Sequence, residues 1–299
     1  MQTVESQPVV LAERDWRTRQ AAHRARMSAL TREHDARAER GEKHPVHDFL
    51  FTYYSFKPAV LKRWHPGIGV VLTGDAAREF LGSQCYSRVD GGVMADPASF
   101  SEVRRAGVTW MLGLLRATAA RPAAFGCHGL HEWAMVYKQA QEDLRHPDFP
   151  LRFAPEEIDR IVEASTVRCT HFDAFRFFTE EARPLNRVQP ERSSIHALEQ
   201  RGCLHANMDL FKWAAKLLPF APSELVADAF ELARDIRETD MRASPYDLRA
   251  LGYAPIAIET PEGRVEYERQ QRAFAARGEP IRARLTAVCE AMIAAWRSG

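Results

Sequence analysis

From Glu13 to Lys43 the chain runs without a proline and without a glycine before Gly41, in a composition rich in Ala, Arg and Glu. Those residues lose little freedom on entering a helix, and nothing in the run stops one. With Trp16, Met27 and Leu30 set among many charges, residues 13–43 are expected to form one long amphipathic helix packed on a core supplied by the rest of the chain. Helical periodicity continues after it. Ser99–Ala120 carries Trp110, Leu114 and Leu115 in a stripe and is ended by Pro122. His128–Leu144 follows, and Pro155 opens a helix to about Ala164. His171–Glu180, Leu204–Leu217, Glu224–Arg242 with Ser223 as N-cap, and Pro280–Trp296 complete the series. Ile68–Leu72 reads as a short strand, with a second near the turn VDGGVMADP. The expected fold is mainly α: a single helical domain over residues 1–299 with at most a short β element near 68–95.

With 299 residues, roughly three quarters of the unfolded surface can be buried. Hydrophobic residues at 45% and charged residues at 27% exclude disordered, collagenous and disulfide-scaffold classes. A net charge of +1 gives no bulk field toward nucleic acid or anionic lipid. The locally basic stretch RTRQAAHRARM reads as a solvated helix face. No apolar run is long enough to span a bilayer, and the N-terminus lacks a basic region followed by an apolar one. Five widely spaced cysteines without a CxxC fit a reducing compartment, so a cytoplasmic location is expected.

The candidate chemistry lies in short segments crowded with aromatics. In CHGLHEWAMVY, His128 and Glu132 share a helix face with His131 beside them. HFDAFRFF sets His171 and Asp173 among phenylalanines, and CLHANMDLFKWAAKL places His205 and Asp209 four apart. A histidine or carboxylate beside an apolar stripe is partly desolvated, which costs several kcal/mol unless a partner or metal compensates. Histidines and carboxylates from different helices are the material of a metal site or an acid–base pair. Each histidine taken alone is as readily a core residue bonded to a carbonyl. The row Asp228, Glu231, Asp235, Glu238 alternates with arginines and reads as a salt-bridged solvated face. Cys127 beside His128 and Cys203 near His205 are weak thiolate candidates.

The segments HPVHDFLFTYY, CHGLHEWAMVY, HFDAFRFF and GCLHANMDLFKWA, followed by SELVADAFELARDIRETDMRASPYDLRALGY, resemble a bacterial, largely actinobacterial family labelled 3-methyladenine DNA glycosylase. The resemblance runs from about Trp16 to Ala294 and implies a hydrolase that releases an alkylated base flipped out of damaged DNA, without a cofactor. On that reading Glu132 or Asp209 is the general base and His128 and His205 orient it. Trp133, Tyr137, His171, Asp173 and Trp213 line the pocket, and the basic N-terminal helix meets phosphates. The segment WHPGIG, with Asp90 beyond it, resembles the hairpin of helix–hairpin–helix glycosylases, although the following VVLTG reads as a strand. The alternative is a metal-dependent hydrolase or oxygenase acting on a small molecule, with His128, His131, His171, His205 and Asp209 as ligands of a divalent metal. Glu132 and Asp173 are further carboxylates for that site. A third reading is a helical binding protein whose polar groups pin the core. None of the three involves a membrane.

Overall fold

The computed structural model describes residues 8–298. The expectation that the extreme N-terminus carries no leader falls on residues 1–7, outside the described residues. Val9–Leu11 forms a strand, β1, and Glu13–Glu39 the expected long helix, α1. Two one-turn helices follow, α2 at Phe49–Tyr53 and α3 at Pro58–Lys62. Three strands come next: β2 at Val70–Leu72, β3 at Tyr86–Val89 and β4 at Gly92–Ala95. The remainder is helical: α4 (Glu102–Ala120), α5 (Leu130–Ala134), α6 (Pro155–Glu163), α7 (Phe172–Phe175), α8 (Ile195–Leu198), α9 (Leu204–Lys216), α10 (Ser223–Arg242) and α11 (Pro261–Ser298). The fold is mainly α, as the periodicity predicts.

α9 explains the architecture. Its polar residues His205, Asn207 and Asp209 are buried along with Leu204, Met208, Leu210 and Phe211, so it has hardly any solvent face. A helix enclosed in this way must be surrounded, and α10 and α11 pack against it, with α4 against α11. α1 lies over α10, burying Trp16, His23, Met27 and Thr31. One apolar cluster runs from Leu11 to Met292 through all these elements.

The β element is larger than expected. β1 pairs in parallel with β2, and β4 joins β2 to β3 in the order β1-β2-β4-β3. The β3–β4 turn uses Gly91 at φ +81°, and a Cβ on Gly92 would meet the Leu72 carbonyl at 2.2 Å, so both positions call for glycine. The WHPGIG segment leads into β2, not into a helix, and Asp90 is an exposed turn residue.

Three helices differ from expectation. His128–Leu144 is helical only over Leu130–Ala134, because His128 and Gly129 are left-handed before it and Lys138 after it. His171–Glu180 keeps a single turn. Conversely, the last helix begins at Pro261 and passes through Pro280 instead of starting there. Proline costs a helix interior about 3 kcal/mol, here offset by packing on both sides: Tyr267, Gln271 and Phe274 before it, Leu285, Cys289 and Met292 after it, all buried. Ser223 is the first residue of α10 and not its cap. Its hydroxyl accepts from the His65 N–H at 2.8 Å, tying the β2 approach to α10.

Candidate metal centre

α5, α7, α9 and α10 end or begin around one buried point. α5 contributes His131, the residue before α7 contributes His171, the first turn of α9 contributes His205, and the last turn of α10 contributes Asp240. One turn along α9 from His205 stands Asp209, and Glu199 closes α8. All six side chains are buried. His205 is central, its ring 4.5 Å from that of His131 at 83° and 5.3 Å from that of His171 at 30°.

Two ligand-like triads result, His131–His205–Asp240 and His171–Glu199–Asp209, each with one donor atom per residue mutually within 4.8 Å. His131 Nε2 lies 3.0 Å and 3.2 Å from the two Asp240 oxygens. His171 Nε2 lies 3.4 Å from both Glu199 Oε1 and Asp209 Oδ2, and neither of its ring nitrogens makes a hydrogen bond of proper geometry. A buried polar group left in that state calls for a ligand, a water or an ion.

Charge is distributed unevenly. Asp209 accepts from the Tyr54 hydroxyl at 2.7 Å and from Lys212 Nζ at 2.5 Å. Burial works against its charge, but Lys212 and His171 outweigh burial and hold the carboxyl far below its usual range. Arg237 pairs with Glu132 at 2.7 Å and reaches Asp240 only at 3.5 Å. Four buried carboxylates, Asp209, Glu199, Asp240 and Glu132, thus face two buried cations, Lys212 and Arg237, when the imidazoles are neutral. Burial raises Glu199, and although burial disfavours the His131 cation, Asp240 outweighs it and raises that pKa. Burial and His131 push the His205 pKa well below its ordinary value, and its ring has no hydrogen-bond partner among the described residues.

The cluster lies between two cavities. One of about 960 Å³ reaches Asp209 and Glu199 beneath Trp110, Trp213 and Phe172. The other, about 390 Å³, reaches His131 and His205 together with Cys127, Cys169 and Cys203. Burial raises all three thiols, as suits packing residues more than nucleophiles.

Of the residues singled out from sequence, His131, His171, His205 and Asp209 come together here. Asp173 and Trp213 line the larger cavity. Glu132 approaches the cluster only through Arg237. His128 does not join it, and sits half-buried near Arg264 and Glu268 of α11. Trp133 is wholly buried with its indole N–H on the Ala243 carbonyl, and the Tyr137 hydroxyl is bonded to Glu163, so neither ring lines either cavity. The sequence reading overlooked Asp240, Glu199, Lys212 and Tyr54, and it placed Arg237 on the solvated face of α10, whereas Arg237 is buried against Glu132. Arg237 and Asp240 continue the stripe of Ala229, Ala233 and Ile236, and that position on an apolar stripe was an available signal. Glu199 carried none. No family model, curated protein or solved structure matches the chain.

Proposed function

We propose that the protein is a metal-dependent hydrolase or oxygenase acting on a small molecule, with one divalent ion held by His131, His205 and Asp240. The observation that carries this reading is the convergence of two histidines and a carboxylate from three separate helices on one buried point. Two histidines and one carboxylate leave coordination positions open, as both hydrolytic zinc sites and non-haem iron sites require. The ion would supply Lewis acidity or an activated oxygen species there. The first triad is favoured over the second because Lys212 already neutralises Asp209, whereas Asp240 has only the His131 ring at 3.0 Å and Arg237 at 3.5 Å. His205 has no hydrogen-bond partner among the described residues and its burial disfavours the cation, as suits a ligand. His171, stacked beside it between two carboxylates, is placed to hold or pass a proton at Nε2.

Titrating chelator-treated protein with Co(II) tests this. Saturable visible bands are expected in the wild type and not in Asp240→Ala; no bands in either sinks the proposal.

A second reading, suggested by the resemblance to the glycosylase family, is supported by a different observation. Trp110 and Trp213, with rings 5.7 Å apart, stand in a cavity with Asp209 beneath, the ingredients for stacking a base and supplying a carboxylate. Release of 3-methyladenine from methylated duplex DNA, lost in Asp209→Ala, would move the assignment there.

A further inference from the structure

The larger cavity has opposite electrostatic character at its two ends. Its floor carries the buried carboxylates Asp209 and Glu199, with Lys212 bonded to Asp209. Its rim carries Arg104 from α4, Arg192 from the turn before α8, and Lys216 from the end of α9. None of these three cations has a carboxylate partner among the described residues. Other arginines near the core helices are paired, as Arg26 with Asp228 and Glu231, Arg277 with Asp235, and Arg284 with Asp228. Two of the rim cations rest on aromatic rings. The Arg104 guanidinium lies 3.6 Å over the Phe100 ring and Lys216 Nζ 5.3 Å over Trp213. Between rim and floor the walls are aromatic, with Trp110 left 40% exposed although it is among the largest apolar side chains. A volume of about 960 Å³ suits a single medium-sized ligand.

We propose that this cavity is the substrate site and that it takes a planar, largely apolar small molecule bearing one anionic group. The anion, a carboxylate or a phosphate-like oxyanion, meets Arg104, Arg192 and Lys216. The planar body packs against the Trp110 and Trp213 pair, and the reacting end points down to Asp209 and Glu199. This inference goes beyond the metal assignment, because the floor is formed by Asp209 and Glu199 of the second triad and the rim's preference for anions does not depend on an ion.

Isothermal titration calorimetry with three matched probes tests it: 2-naphthoate, 2-naphthylmethylphosphonate and the neutral 2-naphthylmethanol. At low ionic strength at least one anion is expected to bind at one site roughly tenfold tighter or more than the alcohol, with the advantage shrinking as salt is added. Comparison of the two anions tells carboxylate from phosphate-like recognition. In Arg104→Ala/Arg192→Ala, both exposed positions, the advantage is expected to vanish while the alcohol binds as before. In His205→Ala, with metal content measured on the same sample, the advantage is expected to persist. Equal affinity for anion and alcohol, no binding of any probe, or an advantage that survives loss of the rim arginines overturns the proposal. An advantage lost in His205→Ala with the rim intact also overturns it, because the anion would then sit on the metal. Anion preference in a wild-type protein that holds no metal would uphold the rim and refute the metalloenzyme reading.

Discussion

A histidine ligates a metal only when its ring is neutral, and a buried carboxylate keeps its charge only when something balances it. His205 and Asp209, one helical turn apart, divide these roles. His205 has no partner and a depressed pKa, whereas Asp209 is saturated by Tyr54 and Lys212. The Asp209–Lys212 pair is almost wholly buried, with side chains 2% and 13% exposed, so breaking it strands a charge. Asp209→Asn is expected to destabilise the chelator-treated protein by about 3 kcal/mol, and adding Lys212→Met should restore most of that. Because the folded pKa of Asp209 lies below its ordinary 3.8, its contribution is present above that value and is lost as pH falls toward the folded one. In urea titrations the gap between wild type and Asp209→Asn should therefore narrow below about pH 4. A gap unchanged with pH, or no rescue by Lys212→Met, contradicts this account. His131, His171, His205 and Asp209 were legible because histidines and an aspartate stand out in aromatic-rich segments. Glu199 was not, since what it meets, the His171 ring, is distant in sequence.

The elements that build the centre are the ones periodicity reads least well. α5 and α7 are a single turn each, fixed by contacts distant in sequence, such as Trp133 to Ala243 and Glu132 to Arg237. Local pattern suggested longer helices there, and tertiary bonding cut them short. α10 was legible on one face only: the Asp228–Glu238 row is the salt-bridged surface its alternating charges imply, while Arg237 and Asp240 turn inward. α11 contains Pro280 and closes over α9, and the closeness of that packing depends on Gly278. A Cβ there would come within 2.3 Å of Asn207 Oδ1, and Asn207 cannot yield because it bonds Arg282 and the Arg201 and Cys203 carbonyls. Glycine to alanine in a helix interior ordinarily stabilises by about 0.5–1 kcal/mol. At Gly278 the opposite sign is expected, a loss of about 1–3 kcal/mol by denaturant unfolding. A neutral or stabilising result would mean that α9 and α11 are less closely apposed than described.

At the scale of the molecule, a mainly helical fold buries four carboxylates and three histidines around the enclosed helix α9, with a cavity on either side. Composition and periodicity indicated the helical class, but not the centre, which exists only where four helix ends meet. Among the described residues no helix is long and apolar enough to cross a membrane. The pattern of buried charge is costly without a compensating ion or protons, and an ion that binds only the folded chain would stabilise it by mass action. The most direct test is the metal content of protein purified without chelator or affinity nickel, measured by plasma mass spectrometry beside His205→Ala. About one divalent ion per chain in the wild type, and almost none in the variant, is the predicted result. A wild-type protein that carries no metal and takes up neither Fe(II), Zn(II) nor Mn(II) on dialysis would contradict the account.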